Sequence, residues 1–276
     1  MNVEIASVGV ESGAPPVLLR ERRGLIEVLT LNCPKKRNAL SDASLAAITE
    51  AFESIAKDPT VQVVILASTG PAFCAGHDLK EMNAHRADAD GGRKYFTELM
   101  TACSRMMQAI VTLPQPVIAA VQGVATAAGC QLVASCDLSL AANNSRFATP
   151  GVDIGLFCST PMVALSRNVS RKHALEMLFT GEMISADDAV RIGLINRTVE
   201  PGSELDEALA LANKIAKKSP RALKTGKAAF YRQAEMSLSD AYMYASKVMV
   251  ENMMTGDATE GICAFIEKRE PNWPVE

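Results

Sequence analysis

Residues 117–160 read VIAAVQGVATAAGCQLVASCDLSLAANNSRFATPGVDIGLFCST. The apolar run 117–121 has the pattern of a strand buried on both faces. A small-residue turn follows over 123–129, and the spacing predicts a helix over 128–135. Gly and Ala let another group approach the backbone closely. The first N–H groups of a helix have no partner within it. Together they make a place able to hold a carbonyl oxygen as it becomes negative. Where an acid/base catalyst would be expected beside it, the stretch offers Gln131, Gly151 and Ser159. None of these ionises usefully near neutral pH.

Working outward, residues 73–79 (FCAGHDL) form a second small-residue turn. Gly76 permits a tight backbone, and the next N–H belongs to His77. The His77 ring could act as an acid or base, or simply pack while its backbone matters. Asp78 is expected to cap or brace the loop. Earlier, residues 33–41 (CPKKRNALS) form a basic loop, in which Lys35, Lys36 and Arg37 are either solvated or meet a phosphate-bearing ligand. Ser41 reads as the N-cap of a helix over 42–57, whose Leu45, Ile48, Phe52 and Ile55 fall on one face.

The remaining pattern places strands at 17–20 and 25–31 around a polar ERRG turn, and at 61–67 and 137–142. Residues 83–92 (NAHRADADGG) read as a mobile surface loop able to cover a site. A long amphipathic helix is expected over 93–112. From residue 160 the periodicity is helical, broken at Gly181, Gly193 and Pro201-Gly202, with a brief strand at 195–199. Pro220 opens a helix at its first turn, and helices over 241–254 and 257–268 complete the chain. Met243, Met249, Met253 and Met254 suit packing or an interface. The class is α/β: a core over 1–200 and a helical region over 201–276.

With 276 residues, 48% hydrophobic and 21% charged, the chain can build a sizeable core. A net charge of −3 gives no support for binding nucleic acid or an anionic membrane through bulk electrostatics. The seven cysteines are odd in number and scattered, which fits buried thiols in a reduced, cytoplasmic protein. No zinc-type spacing is present, so no metal is expected. No apolar run reaches the ~18 residues of a membrane span. The N-terminus lacks a signal peptide's pattern and reads as a short tail before the first strand.

The segments PKKRNALS, VVILAS, FCAGHDLKEM, PVIAAVQGVATAAGCQLVASCD, RFATPGVDIGL and RKHALEMLFTGEMISADDAVRIGLINRTV stand in an informative order. Through them the chain resembles the crotonase (enoyl-CoA hydratase/isomerase) superfamily over nearly its full length. The resemblance implies a spiral of ββα units with a C-terminal helical oligomerisation region, and a homotrimer or homohexamer. It implies an acyl-CoA substrate or ligand from fatty-acid metabolism, lyase or isomerase chemistry, and no tightly bound cofactor. By the same resemblance, the backbone N–H groups of His77 and Ala128 would hold the thioester oxygen. Lys35, Lys36, Arg37, Ala39, Ala75, His77, Asp78 and Leu79 would contact CoA, helped by a neighbouring subunit's Phe265 and Lys268.

The family's two hydratase glutamates fall on Gln131 and Gly151. A carboxylate used by several isomerases and a dehalogenase of the superfamily falls on Ser159. Ordinary hydration is therefore not supported. Decarboxylation, thioester hydrolysis, isomerisation or non-catalytic acyl-CoA binding remain as readings. Asp153, two residues beyond Gly151 and about 7 Å along an extended segment, and Cys158 are expected to be structural rather than chemical.

Overall fold

Eleven strands organise the described residues, which are 5–6 and 15–273 of this computed structural model. They are β1 (Ile5–Ala6), β2 (Leu18–Arg23), β3 (Ile26–Leu31), β4 (Val63–Ser68), β5 (Ala72–Cys74) and β6 (Val117–Val121). β7 (Val124–Thr126), β8 (Leu138–Ala142), β9 (Arg146–Ala148), β10 (Ile184–Ser185) and β11 (Arg197–Val199) follow. The expected N-terminal tail lies outside the described residues, apart from β1, which pairs with Glu21 and Arg20 of β2. Contrary to the expected ERRG turn, β2 runs on through Arg23 and the chain reverses at Gly24, φ +62°. Arg20 pairs with Glu27 across the hairpin at 2.9 Å, so these charged residues are held within the ladder.

A seven-stranded sheet has the order β1-β2-β3-β4-β6-β8-β11, and its β3-β4-β6-β8-β11 part is parallel. A smaller sheet has the order β10-β9-β7-β5, with β5, β7 and β9 parallel. The chain therefore deals its strands in pairs. β4, β6 and β8 go to the large sheet, and β5, β7 and β9 go to the small one. A helical segment follows each pair, which is the expected spiral of ββα units. The three-residue strands of the small sheet were not expected; they are too short to show a period of two.

The helices are α1 (Asp42–Ile55), α2 (Leu79–Ala84), α3 (Arg93–Thr112), α4 (Ala128–Ser135), α5 (Ser159–Asn168) and α6 (Arg171–Thr180). α7 (Ala186–Ile192), α8 (Glu204–Ala216), α9 (Pro220–Gln233), α10 (Leu238–Met253) and α11 (Gly256–Glu267) complete them. Ser41 caps α1, its Oγ accepting from Ser44 N–H at 3.2 Å. Residues 83–92, expected as a mobile surface loop, are largely exposed; α2 ends in them, a single 3-10 turn spans His85–Ala87, and the His85 ring stacks on Tyr95 of α3 at 3.6 Å.

Alternation within the strands explains their apolar runs. Leu29, Val64, Leu66, Val117, Ala119 and Val121 face one core beneath α1, α3 and α4. Val28, Val63, Ile65, Ile118 and Ala120 face a second core closed by Ala208 and Ala212 of α8. Both faces of the sheet are covered, so both parities are apolar. Because α8 packs on β4 and β6, the sheet's covering layer extends past the division expected at residue 200.

α9 is tied to the sheet by a polar cluster. Lys227 Nζ donates to Asp137 Oδ2 at 2.6 Å and to the carbonyls of Ile110 and Gln115. Tyr231 Oη donates to Asp137 Oδ1 at 2.9 Å, and the N–H of Val117, which opens β6, donates to Asp137 Oδ2 at 2.7 Å.

Candidate functional site

β5, β7 and β9 run parallel, so the loops leaving their C-terminal ends emerge side by side. β5 delivers Gly76 and His77. β7 delivers Ala127, Ala128 and, one helical turn on, Gln131. β9 delivers Thr149 and Gly151. Parallel strands thus bring together residues that lie far apart in sequence, at the edge where such sheets place ligands.

The first two loops meet through small residues. A Cβ on Gly129 would lie 2.1 Å from the Cys74 carbonyl oxygen, so only glycine fits where α4 meets β5. A Cβ on Gly76 would lie 3.0 Å from Ala127 Cβ and 3.5 Å from Ala128 N, and Gly76 has φ +90°. Ala127 itself adopts φ +50°, ψ −118°, a costly conformation for a residue with a side chain. It is held by its N–H to the Ala148 carbonyl at 2.9 Å and by its carbonyl, which accepts from Gln131 N–H at 3.0 Å.

The N–H of His77 and that of Ala128 make no hydrogen bond among the described residues. Ala128 is the first residue of α4, where no intrahelical partner exists. His77 forms a parallel bridge with Leu40, in which the flanking groups bond instead. Leu40 N–H donates to the Gly76 carbonyl at 2.7 Å, and Asp78 N–H donates to the Leu40 carbonyl at 3.2 Å. The His77 ring has both nitrogens enclosed, and neither completes a hydrogen bond. Burial pushes the imidazole pKa down, opposed by the Leu40 backbone and the Asp42 charge, so the ring is neutral at pH 7.

The basic loop lies against the same turn. Ala75 N–H donates to the Arg37 carbonyl at 3.0 Å, and Lys36 Nζ pairs with Asp78 Oδ2 at 2.8 Å. Asp78 also caps α2, accepting from the N–H groups of Lys80 and Glu81. The Lys36 ammonium leads the groups that hold its carboxyl below the usual aspartate range, against its own burial. The sequence reading missed Asn38, which is buried at φ +52°. Its Oδ1 accepts from Cys33 N–H at 2.7 Å, and its Nδ2 donates to the carbonyls of Thr69 and Ala72, each at 2.8 Å. Asn tolerates the left-handed region, which is the one local signal that could have singled it out. Lys35, Lys36, Arg37, Ala39, Ala75, His77, Asp78 and Leu79 therefore lie on two loops fastened to each other. Phe265 and Lys268 lie at the end of α11, and Phe265 is 84% exposed.

Gln131 is 5% exposed, and its Oε1 has no partner. Gly151 sits in a 3-10 turn over Pro150–Ile154, where a Cβ would meet the Leu156 carbonyl oxygen at 2.8 Å and Cys158 Sγ at 2.9 Å. Burial pushes the Cys158 thiol's pKa up, opposed by the Gly151 backbone. Ser159 opens α5 with an exposed hydroxyl whose bonded neighbour is the Phe157 carbonyl at 3.4 Å. Asp153 is exposed, with Oδ2 3.2 Å from where a Cβ on Gly181 would stand. It borders the turn after α6.

A spiral of ββα units with parallel sheets is the fold of the enoyl-CoA hydratase structures that this chain resembles. The chain belongs to that family: the enoyl-CoA hydratase/isomerase family model matches residues 21–275. Enoyl-CoA hydratase domain-containing protein 3, mitochondrial, of Rattus norvegicus is 48% identical over 96% of this chain and 86% of its own length. An enoyl-CoA hydratase crystal structure from Mycobacterium smegmatis is 53% identical, with a TM-score of 0.89 over 94% of this chain and 99% of that one. The crystal structure of human enoyl-CoA hydratase domain-containing protein 3 is 46% identical, with a TM-score of 0.88 over 93% and 100%.

Proposed function

We propose that this protein binds an acyl-CoA thioester with its carbonyl oxygen between the N–H groups of His77 and Ala128. The observation that carries this is the absence of any acceptor for those two N–H groups among the described residues, at the ends of neighbouring parallel strands. Two fixed donors stabilise negative charge on that oxygen, and the loss of one such donor typically costs about 3 kcal/mol of transition-state stabilisation. Lys35, Lys36 and Arg37 supply positive charge on the loop fastened to the His77 turn, which suits the phosphates of CoA.

The chemistry is one that needs charge held on the thioester oxygen rather than a water activated by two carboxylates. Decarboxylation, thioester hydrolysis and isomerisation satisfy that description. Gln131 stands where the family's first glutamate falls, and its amide is no general base. At Gly151 the Leu156 carbonyl and Cys158 thiol fill the space a side chain would enter, which supports a site not built for ordinary hydration. The same observation favours non-catalytic acyl-CoA binding as the second reading.

Calorimetric titration with butyryl-CoA is expected to show binding that weakens in Ala128→Pro. Proline suits the first helical position while removing the N–H. Failure to bind at millimolar ligand sinks the proposal. Turnover of a small acyl-CoA panel above buffer separates the enzyme from the binder.

The working form is a homotrimer or homohexamer. α9 and α10 bury no residue within their own chain. Leu238, Tyr242, Met243, Met254, Phe265 and Ile266 are exposed. Apolar faces of this extent call for a covering surface, and a second copy of this region supplies one. Sedimentation velocity is expected to give a trimer or larger; a monomer at micromolar concentration overturns this.

A further inference from the structure

After α11 the chain turns back on itself. Lys268 ends the helix at φ +55°, in the left-handed region, and Arg269 N–H donates to the Ala264 carbonyl at 3.0 Å. The residues that follow run back along the helix, and Glu260 holds them there. Its Oε1 accepts from Arg269 Nη1 at 2.6 Å and from Asn272 N–H at 2.7 Å, and its Oε2 accepts from Arg269 Nη2 at 3.0 Å. A two-bond guanidinium–carboxylate pair fixes orientation as well as distance. The Trp273 ring lies against Gly261, where a Cβ would stand 3.3 Å from it. Trp273 Nε1 donates to the Lys217 carbonyl at 2.8 Å.

Lys217 belongs to the junction 217–219 between α8 and α9. That junction is gripped a second time. Ser219 caps α9, its Oγ accepting from Ala222 N–H at 2.9 Å and donating to Asp257 in the first turn of α11. Ser219 and Asp257 are both buried. α11 is therefore attached on either side of Lys218, directly through Asp257 and by way of its tail through Trp273. One attachment leaves a helix free to pivot, whereas two set its direction. α11 depends on them because Asp257 and Ala264 are the residues it buries. A helix of 12 residues is about 18 Å long, so a pivot of about 10° at its start moves its far end by about 3 Å. A shift of that size breaks the fit of a packed interface. Ile262, Phe265 and Ile266 of α11 are exposed and form the ridge that a second copy would cover.

We infer that residues 269–273 are a strap that sets the direction of α11, and that assembly through the C-terminal helices depends on it. This rests on the assembly reading above and adds the device, Glu260 with Arg269 and Trp273, that preorganises the surface.

Trp273 is the sole tryptophan of the chain, so its emission reports the strap. The test compares the unaltered full chain with Glu260→Ala, Arg269→Ala and the double variant. All are measured by fluorescence and by sedimentation velocity, at one urea concentration that half-dissociates the unaltered assembly. Each variant is expected to move the Trp273 emission to longer wavelength and to raise the dissociation constant roughly tenfold, the scale of losing one charged hydrogen-bonded pair. The double variant is expected to lose no more than either single one, because both act through the same contact. Arg269 lies on the exposed side of the pair, so Arg269→Ala keeps the test decisive if Glu260→Ala does not fold. Emission that moves while assembly holds overturns the inference. Weaker assembly with unmoved emission, or losses that multiply in the double variant, overturn it as well. If the unaltered protein is a monomer, the assembly reading itself fails and takes this inference with it; if it assembles and the variants assemble equally well, only the strap fails.

Discussion

Replacing Gly129 with alanine is expected to cost the fold at least about 3 kcal/mol, the upper range for forcing extra volume into a packed interior. The new Cβ would stand 2.1 Å from the Cys74 carbonyl oxygen and 2.9 Å from Cys74 Cβ. Neither neighbour is a flexible side-chain end. Cys74 belongs to β5, which is paired to β7, so relief requires the strand or α4 to move. Either movement separates the His77 turn from Ala128 and disperses the two unpaired N–H groups. Urea denaturation measures the loss. Gly226→Ala is the matched control: it lies within α9 with no atom near its would-be Cβ. There the same change should stabilise by about 0.5–1 kcal/mol, because alanine is the better helix former. A Gly129→Ala protein as stable as the original would show that the close approach of α4 to β5 is not required.

Asp137→Ala is expected to destabilise by about 3–5 kcal/mol, the range for removing one partner of a buried ion pair. Three donors lose the carboxylate at once: Tyr231 Oη, Val117 N–H and Lys227 Nζ, which keeps only the neutral carbonyls of Ile110 and Gln115. Lys227 has a side chain only 7% exposed, so its charge would be left in the interior. Adding Lys227→Met should recover part of the loss, since the double variant has no uncompensated charge. Because α9 buries no residue of its own, the single variant should also expose the chain after residue 219 to protease at lower urea than the core. A loss under about 1 kcal/mol in Asp137→Ala, or no recovery in the double variant, would remove this cluster as the anchor of the C-terminal helices.

The Asp137 cluster lies beyond what the sequence makes legible, whereas the Gly129 turn lies within it. The large sheet was legible because each strand repeats one local pattern. Val63, Val64, Ile65 and Leu66 are all apolar, since alternate residues face two different cores. Helix starts were legible where a cap is written into adjacent residues, as at Ser41, or where proline opens a helix, as at Pro220. The turns at Gly76–His77 and at residues 123–129 were likewise visible as small residues beside a strand or helix end. The resemblance implies one ligand for both turns.

Other features are pairings across distance, with no local trace. Lys227 and Asp137 are 90 residues apart, and each alone reads as an ordinary surface charge. Residues 83–92 read as a mobile surface loop from their polar composition, and nothing local shows that the His85 ring stacks on Tyr95. The helical period of residues 204–216 says nothing about which surface meets Ala208 and Ala212.

By itself, then, the sequence determined the α/β spiral, the family and the two backbone turns of the candidate site. All three follow from patterns a few residues long, repeated in a recognisable order. Only the tertiary structure decided that both N–H groups are unpaired among the described residues, that Gly151 has no room for a side chain, and that Lys227 meets Asp137. These depend on which distant parts of the chain approach within a few ångströms, as the parallel pairing of β5, β7 and β9 brings the site loops together, rather than on any one segment.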